Sequence, residues 1–374
     1  MIPYGRQSIN NDDIAAVVNA LKGDFLTTGP LVELFELEIE KVVGAPCVVV
    51  SSGTAALHCA YAAIGIEPGD EIITPPLTFI ATQATAALMG ARVVFVDIQS
   101  DTGNIDPVAV EAAITPRTKA IVAVDYAGHP ADLDELRAIA DKYRIFLIED
   151  AAHSIGSSYR ERPVGSIADL TTFSFFPTKN LTTAEGGAVS SFRPDLLQKA
   201  RRFSRQGLIR NKEEFVIQTE GSWHQEVHQF GLNYRLPDVL CALGVSQSKR
   251  IEEFKKKRSE IFSTYNHHLQ NLHNVQIPTV REYVSPMWHL YPLRVEATSR
   301  LHIFQELRKY EIGVQVNYMP SYWHPVFKNS KYQIGQFPKS DAFYRSEISL
   351  PMYSDLKLEE VEKISNLVLS LVQS

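Results

Sequence analysis

Short apolar, β-branched runs alternate with segments of helical periodicity through the first 190 residues. Strands that alternate with helices are typical of a mostly parallel sheet with helices on both faces. The runs are continuously apolar, as expected of strands that are buried on both faces. The predicted strands are 47–52, 71–74, 93–98, 120–126, 146–150, 171–175 and 188–192, and the predicted helices between them are 55–64, 80–89, 108–114 and 133–143.

Several of these predicted strands end in polar side chains. Ser51 and Ser52 follow the first strand, Glu149 and Asp150 end the fifth, and Ser174 lies near the end of the sixth. Ligands of open α/β sheets bind at the carboxyl ends of the strands. We therefore expect one cleft to collect these residues.

The pattern changes after about residue 194. The sequence predicts helices over 237–269, 301–310 and 358–371, with strands over 288–295 and 313–318. A further helix, 14–21, and a segment, 31–42, precede the first strand. The predicted fold is therefore α/β, with a large, mostly parallel sheet domain over 1–236 and a smaller C-terminal α+β domain over 237–374, joined by the long helix 237–269.

Composition and charge narrow the class of protein. The 374 residues are 45% hydrophobic and 21% charged, with a net charge of −6, which indicates a globular protein and argues against a general nucleic-acid or membrane-surface binder. Three cysteines are too few for a disulfide framework or a zinc site, and the histidines show no metal-ligand spacing. Without an apolar run of about 18 residues or a signal-peptide core, a cytoplasmic enzyme that needs no metal is expected.

Three segments could carry chemistry. Residues 51–57 pass from a strand into a helix through small residues, which suits a phosphate, although an ordinary capped helix shows the same pattern. Asp150 ends a buried strand, where it could pair with a protonated ring nitrogen or serve as a structural ion pair. Lys179 follows a later strand among small residues, where desolvation would lower its pKa and free the amine as a nucleophile.

The order of these three features is the one that pyridoxal phosphate (PLP) requires. This cofactor needs a phosphate cradle, an acid at its pyridine nitrogen and a lysine that holds it covalently. The chain also resembles, over essentially its whole length, the DegT/DnrJ/EryC1/StrS family of nucleotide-sugar aminotransferases, which are fold-type I PLP enzymes. The stretches that match are 26–30, 52–57, 78–82, 149–153, 173–175, Lys179, 185–188 and 231–236.

The resemblance implies a role for each matching residue. Lys179 would hold the cofactor and then move the proton, and Asp150 would pair with the pyridine nitrogen. Asn233 is expected to reach the phosphate of the other subunit's cofactor, so a homodimer with active sites at the subunit interface is implied. The other cofactor contacts implied are Gly53, Thr54, Phe79, His153 and Ser174, and the implied sugar-nucleotide contacts are Tyr4, Leu26, Thr27, Tyr318, Pro320 and Ser321.

Within the family, the chain is most similar to the transaminases of pseudaminic acid biosynthesis. The stretches 119–128, 182–189 and 347–351 carry this similarity, with Ala184 where most relatives have glycine. The implied reaction moves an amino group from L-glutamate to the C4 keto group of a UDP-linked 2-acetamido-2,6-dideoxy-4-ulose. Another nucleotide-sugar 4- or 3-aminotransferase, such as a perosamine-type enzyme, is the alternative.

Other classes of protein fit the sequence less well. A nicotinamide oxidoreductase should carry G-x-G-x-x-G after the first strand, where this chain has Ser-Ser-Gly-Thr. A cysteine desulfurase needs a mobile catalytic cysteine, but Cys241 lies in an apolar helical stretch. Sugar dehydratases of the same family replace the lysine with histidine, and a catalytically silent homologue would have lost Lys179 or Asp150. Both residues are present, which favours transamination.

Overall fold

The computed structural model describes residues 1–373. Its helices are α1 (Asn11–Lys22), α2 (Pro30–Val43), α3 (Gly53–Ala63), α4 (Ala81–Leu88), α5 (Pro107–Ala113), α6 (Leu133–Tyr143), α7 (Pro194–Phe203), α8 (Asp238–Ser248), α9 (Ile251–Leu269), α10 (Arg300–Lys309), α11 (Pro338–Ser346) and α12 (Leu358–Gln373). Short 3₁₀ turns occur at Tyr126–Gly128, Lys212–Glu214, Ser321–Trp323 and Pro325–Phe327.

The strands form one large and three small sheets. The large sheet contains β1 (Cys47–Val50), β2 (Glu71–Thr74), β3 (Arg92–Phe95), β4 (Thr118–Val124), β5 (Phe146–Asp150), β8 (Leu170–Ser174) and β9 (Gly187–Ser190). The other strands are β6 (Ser158–Tyr159), β7 (Arg162–Pro163), β10 (Leu208–Ile209), β11 (Glu226–Val227), β12 (Val275–Gln276), β13 (Val284–Ser285), β14 (Tyr291–Val295) and β15 (Glu347–Leu350).

The strand order of the large sheet is β1-β9-β8-β5-β4-β2-β3. Only β9 runs antiparallel to its neighbours, so six strand ends point the same way. The predicted α/β fold with a large, mostly parallel sheet is confirmed. The shared direction brings the carboxyl ends of β5 and β8 together at one edge of the sheet.

Helices cover both faces of this sheet because its strands are apolar on both sides. Val48 and Val50 of β1 pack in the cluster that contains α3, whereas Val49 packs with Phe35 of α2 on the other face. A third cluster joins Ile121 of β4 to α5 and α6. Because the strands are buried on both faces, each ends where its apolar run ends. The positions of these ends determine which residues meet at the carboxyl edge of the sheet.

The C-terminal part has its own apolar core. Strands β12, β14 and β15 form a three-stranded antiparallel sheet that packs with α9, α10 and α12. The cluster extends to Leu77 and Tyr126, which follow strands of the large sheet. The domain boundary between residues 236 and 237 stays a prediction.

The predicted single helix over 237–269 is wrong. The structure has two helices, α8 and α9, that are interrupted at Lys249 and Arg250. The guanidinium of Arg250 donates to the Asp13 carboxylate at 2.6 Å and to the Ser8 carbonyl at 3.0 Å. Because α8 packs on α1 and α2 while α9 packs on α12, tertiary contacts break the helix where no proline or glycine does.

The predicted strand over 313–318 is also wrong. Only Gln315 pairs with a neighbouring strand, in a single bridge to Ser349 of β15. Two residues later, the backbone groups of Asn317 bond to the side chains of Glu347 and Tyr126 instead of to another strand. The segment therefore leaves the sheet and enters the wall of a cavity.

Candidate active site

A cavity of about 510 Å³ lies at the carboxyl ends of the large sheet's strands. Its walls come from the ends of β5 and β8, the start of α3, the loops before α4 and after β8, and the segment that contains Asn317. The cleft predicted from the polar strand ends is therefore present. The predicted site residues that line it are Tyr4, Gly53, Thr54, Phe79, Asp150, His153, Ser174, Lys179 and Tyr318.

Lys179 reaches the cavity from a turn just past β8. Its backbone N–H donates to the Phe176 carbonyl at 2.9 Å, which closes the turn. Burial lowers the pKa of the Lys179 amine to about 8, and the carboxylate of Asp150 opposes part of this shift. The amine can therefore gain and lose a proton near neutral pH.

Asp150 occupies the last position of β5 and is buried. The Thr82 hydroxyl donates to its Oδ2 at 2.7 Å, and the Ala152 N–H donates to its Oδ1 at 3.2 Å. Burial raises the pKa of Asp150, and these two hydrogen bonds and the charge of Lys179 act against that rise. The carboxylate is held in one orientation and stays an acceptor for a protonated ring nitrogen.

Glu149, the other carboxylate at this strand end, does not line the cavity. It is fully buried on the opposite face of β5, where the Thr171 hydroxyl donates to its Oε2 at 2.8 Å. Asp125 is buried beside it, and burial raises the pKa of both groups. Alternation along the strand thus decides which of the two carboxylates can meet a ligand.

The start of α3 forms an anion cradle at the cavity wall. The Ser52 hydroxyl accepts from the Ala55 N–H at 3.0 Å and caps the helix. The N–H groups of Gly53 and Thr54 lie in the first turn, where the helix offers them no acceptor. A Cβ on Gly53 would lie 2.7 Å from the Cβ of Ser174, so only glycine allows this approach. Free amides, the helix dipole and the Ser174 hydroxyl together suit a phosphate.

Two histidine rings pack against each other at an angle of 39° beside Lys179. The ring of His153 lies 4.4 Å from that of His289, and its Nε2 is 3.1 Å from the Tyr318 hydroxyl. Burial, together with the charge of Lys179, lowers the pKa of both histidines well below its usual range, so both rings are neutral. The Nδ1 of His153 is buried without a hydrogen-bond partner in residues 1–373, which leaves a polar atom for a ligand.

Asn317 joins the N-terminal segment to the C-terminal sheet at the rim. Its Nδ2 donates to the Tyr4 hydroxyl at 2.5 Å and to Ser349 at 3.0 Å, and its N–H donates to Glu347 at 2.7 Å. The Tyr126 hydroxyl donates to its carbonyl at 2.5 Å. The backbone groups and the side-chain Nδ2 of Asn317 are therefore engaged immediately before Tyr318, so the network helps to fix two of the predicted sugar contacts, Tyr4 and Tyr318.

Five predicted site residues do not line the cavity. Pro320 and Ser321 are buried, and the Ser321 hydroxyl bonds to Thr78 and Gln83, so it supports the loop before α4 instead of facing a substrate. Leu26, Thr27 and Asn233 are exposed elsewhere on the surface. The role of Asn233 involves a second subunit, so it stays a prediction.

Sequence reasoning missed several residues of the site. Thr82 was placed only within a matching stretch, although its hydroxyl binds Asp150. His289 was not singled out because a histidine between two apolar residues is typical of a core position. The network of Asn317 brings together residues more than 300 positions apart, for which a single sequence holds no local signal.

Comparison with known proteins places the chain in a family. Residues 7–369 match the model of the DegT/DnrJ/EryC1/StrS aminotransferase family. The spore coat polysaccharide biosynthesis protein SpsC of Bacillus subtilis is 38% identical, covering 100% of this chain and 97% of that protein. The UDP-4-amino-4,6-dideoxy-N-acetyl-β-L-altrosamine transaminase of Campylobacter jejuni is 36% identical, covering 100% of this chain and 98% of that protein.

A solved structure supports the same placement. PseC from Helicobacter pylori, an aminotransferase of pseudaminic acid biosynthesis, has a TM-score of 0.93 and 32% identity, covering 100% of this chain and 99% of that chain. The chain therefore belongs to the DegT/DnrJ/EryC1/StrS aminotransferase family and is a PLP-dependent nucleotide-sugar aminotransferase. The residues of the cavity fit this cofactor, because a lysine with a lowered pKa, a fixed buried carboxylate and an anion cradle converge there.

No helix in residues 1–373 combines the length and the apolar character that a membrane crossing requires. The same residues contain no group of three or more His, Cys, Asp or Glu side chains arranged to hold a metal ion.

Proposed function

We propose that the protein transfers an amino group from L-glutamate to the C4 keto group of a UDP-linked 2-acetamido-2,6-dideoxy-4-ulose, in pseudaminic acid biosynthesis. The observation that carries this proposal is the full-length similarity to the transaminase of Campylobacter jejuni and to PseC of Helicobacter pylori. Glutamate would leave as 2-oxoglutarate, and the sugar would gain the amino group at C4.

Lys179 and Asp150 would carry the chemistry. PLP supplies, when bound, a ring that takes up the electron pair of the substrate carbon. Lys179 would hold the cofactor and, once released, move the proton between the two carbons involved. Its amine titrates near neutral pH, which suits general acid–base catalysis. Asp150 would hold a proton on the ring nitrogen, since Thr82 and the Ala152 N–H fix its carboxylate.

The other walls of the cavity would orient the two substrates. The amides of Gly53 and Thr54 and the hydroxyl of Ser174 would hold the cofactor's phosphate. Phe79, which exposes 58% of its surface in the cavity wall, and His153 would lie against the ring. Because the His153 ring is neutral, it adds no positive charge that would lower the pKa of Lys179 further.

We also propose a homodimer in the cytoplasm, with Asn233 of one subunit at the cofactor phosphate of the other. Exposed apolar side chains in the neighbourhood of Asn233 support this assembly, since a second copy would remove them from water. The chain would fold as a PLP domain over 1–236 and a smaller domain over 237–374. The exposed apolar side chains nearest to Asn233 in the sequence are Val227, Phe230 and Leu232.

The test is a panel of nucleotide-linked keto sugars offered to the loaded enzyme with L-glutamate. The UDP-linked 2-acetamido-4-ulose should give the highest kcat/KM, and 2-oxoglutarate should appear in equal amount. A Lys179→Ala variant should release none, whereas Lys199→Ala, which removes an exposed lysine of α7, should match the wild type. A preference for a 3-keto sugar or a GDP-linked sugar would contradict the proposed substrate but not the aminotransferase reaction.

A second candidate substrate follows from the similarity to SpsC. That protein takes part in spore coat polysaccharide biosynthesis, and its identity to this chain is 38%, close to that of the altrosamine transaminase. Another nucleotide-linked keto sugar is therefore the alternative substrate. The same panel separates the two candidates, because each predicts a different member with the highest kcat/KM.

A further inference from the structure

Four polar side chains form a continuous hydrogen-bonded path at the rim of the Lys179 cavity, and we call this path the rim relay. The Nδ2 of Asn317 lies 2.5 Å from the Tyr4 hydroxyl and 3.0 Å from the Ser349 hydroxyl. The Ser349 hydroxyl in turn bonds to Oε1 of Glu347. Tyr4 and Asn317 line the cavity, whereas Ser349 and Glu347 are fully buried. The rim relay therefore connects a buried acid to a hydroxyl group that a substrate can reach.

The carboxyl group of Glu347 is buried without a cation bonded to it in residues 1–373. Its hydrogen-bond donors are the Ser349 hydroxyl at Oε1 and the Asn317 N–H, which lies 2.7 Å from Oε2. Arg300 of α10 acts on Glu347 through its charge, since its guanidinium donates to the Tyr344 carbonyl. Burial raises the pKa of Glu347 to about 8, so both its protonated and its ionised form occur near neutral pH.

The other ionisable groups that face Glu347 keep their charge state near neutral pH. Arg294 lies opposite Glu347 in the ladder of β14 and β15 and, like Arg300, carries a guanidinium that stays charged. Three tyrosine hydroxyls also face this carboxyl group, and burial raises the pKa of each above its usual value, so all three stay neutral. These tyrosines are Tyr4, Tyr126 and Tyr318. A change of charge within the rim relay between pH 6 and pH 9 therefore comes from Glu347.

The ionised form of Glu347 fixes the direction of every hydrogen bond in the rim relay. A carboxylate only accepts, so the Ser349 hydroxyl donates to it and has to accept from Asn317. This requires the Nδ2 of Asn317 to face Ser349, as it does in the structure, and the same Nδ2 donates to the Tyr4 hydroxyl. The proton of the Tyr4 hydroxyl is then free for an acceptor in the cavity.

The protonated form of Glu347 favours the opposite direction. An acid that carries its proton on Oε1 would donate to Ser349, and the Ser349 hydroxyl would donate to Asn317. The amide of Asn317 would then present Oδ1 in place of Nδ2, and the Tyr4 hydroxyl would donate to it. In this state the Tyr4 oxygen offers only lone pairs to the cavity.

We propose that Glu347 is a positioning residue for the nucleotide-sugar substrate: through Ser349 and Asn317, it decides whether the Tyr4 hydroxyl donates or accepts a hydrogen bond in the cavity. This inference rests on the proposed function, whose sugar has a keto and an acetamido carbonyl oxygen. A carbonyl oxygen only accepts, so Tyr4 binds it when Glu347 is ionised, whereas two acceptors face each other when Glu347 is protonated. Affinity for the keto sugar should therefore increase as Glu347 ionises.

The first test measures KM for the UDP-linked keto sugar in the loaded enzyme between pH 6 and pH 9. In the wild type, this KM should fall about threefold to tenfold as the pH rises. Glu347→Gln donates to Ser349 as the neutral acid does, so its KM should stay near the wild-type value at pH 6 and change by less than about twofold. Lys179 titrates in both proteins. A constant KM in the wild type, or an equal fall in the variant, would overturn the proposal.

Ser349→Ala tests whether the effect passes along the rim relay. This variant leaves Glu347 free to ionise beside the Asn317 N–H, but it removes the hydroxyl that connects the carboxyl group to the amide. Its KM for the sugar should no longer depend on pH. The matched control is Ser346→Ala, which removes a hydroxyl bonded to carbonyls of α11 and should keep the wild-type profile. A wild-type fall of KM in Ser349→Ala would overturn the proposal.

The glutamate half-reaction, followed by absorbance, separates this inference from the proposed function. It involves no sugar, so Glu347→Gln and Ser349→Ala should keep the wild-type rate at each pH. Loss of the half-reaction in the wild type would contradict the proposed function, whereas its loss in the two variants alone would overturn a role specific to the sugar. If another keto sugar of the panel is the substrate, the same pH profile measured with that sugar decides the proposal, because it also carries a carbonyl oxygen.

Discussion

Two depressions in the molecule gather ionisable side chains, and they handle charge in opposite ways. In the Lys179 cavity, burial dominates: it lowers the pKa of the lysine, raises that of Asp150 and keeps His153 neutral. The second depression lies beside α7, and we call it the arginine pocket because Arg201, Arg202, Arg205, Arg210 and Arg235 line it. These side chains are at least partly open to water, and two of them form salt bridges with carboxylates, Arg201 with Glu36 and Arg202 with Glu214.

The difference separates chemistry from recognition. Proton transfer needs groups whose two protonation states are close in free energy, and desolvation achieves this in the cavity. Binding of a permanent anion needs cations that do not titrate, and arginine provides them. Substitutions in the cavity should therefore change the rate of the reaction.

The largest effect should come from Lys179→Ala. Loss of the amine removes both the anchor of the cofactor and the proton carrier, so transfer from glutamate should fall by at least about 10³-fold. The control Lys199→Ala, at an exposed position of α7, should keep the wild-type rate. Equal losses in the two variants would contradict a specific role of the Lys179 amine.

Asp150→Asn should come next, because the amide keeps the shape of the carboxylate and loses its charge. The ring nitrogen would no longer be held protonated, and kcat should fall by about 10²- to 10³-fold. Glu149→Gln is the matched control on the opposite face of the same strand, and its kcat should stay within about tenfold of the wild type. Equal losses in both variants would indicate a structural effect on β5.

Glu347→Gln tests burial at the cavity rim. Burial raises the pKa of Glu347 to about 8, so the folded protein binds this proton more tightly than the unfolded chain does. Its contribution to stability is present below the unfolded pKa and is lost as pH rises to about 8. The free energy of unfolding of the wild type should fall between pH 6 and pH 9. The fall should be roughly 2 kcal/mol smaller in Glu347→Gln, because glutamine resembles the neutral acid, and denaturant unfolding at the two pH values measures it.

Glu282→Gln, which replaces an exposed acidic residue, is the control, and its unfolding should follow the wild type at both pH values. Parallel curves for wild type and Glu347→Gln would mean that Glu347 is already ionised at pH 6.

A smaller effect is expected in the pH dependence of kcat. The free amine of Lys179 has a pKa lowered to about 8, and only its unprotonated form accepts a proton. The rate should rise about tenfold between pH 7 and pH 9 and then level off. A rate that is flat over these two pH units would contradict the lowered pKa.

The smallest effect should come from Ala184→Gly in the loop after Lys179. Ala184 has φ of +68°, a left-handed conformation that a Cβ disfavours. Glycine should raise the free energy of unfolding by about 0.5 kcal/mol, after its larger entropy in the unfolded chain is counted. Ala188→Gly in β9 is the control, because Ala188 has no positive φ that glycine would favour. This variant should have a lower free energy of unfolding than the wild type. A destabilised Ala184→Gly variant would show that the methyl group makes a necessary contact.

The cavity was more accessible to sequence analysis than the pocket for a physical reason. Buried parallel strands produce continuous apolar runs, and their ends mark where Asp150 and Lys179 must lie. The arginine pocket depends on which carboxylates reach which guanidinium groups, as when Glu36 pairs with Arg201 from 165 positions away. No local sequence pattern predicts such a pairing.

The errors in the predicted elements have a similar origin. The interruption between α8 and α9 follows from the contact of Arg250 with Asp13, and the irregular segment around Asn317 follows from its bonds to Tyr4 and Glu347. Periodicity along the chain cannot report contacts between distant segments. The resemblance implied a substrate contact for Ser321, but its side chain is fully buried in this chain.

The central claim, that Lys179 performs amino transfer in the cavity at the strand ends, is tested most directly by one absorbance experiment. The loaded enzyme should show a visible band of bound cofactor that L-glutamate converts to a near-ultraviolet band in the wild type and in Lys199→Ala. Lys179→Ala should show no such conversion on the time scale of turnover. A conversion that survives in Lys179→Ala would contradict the account.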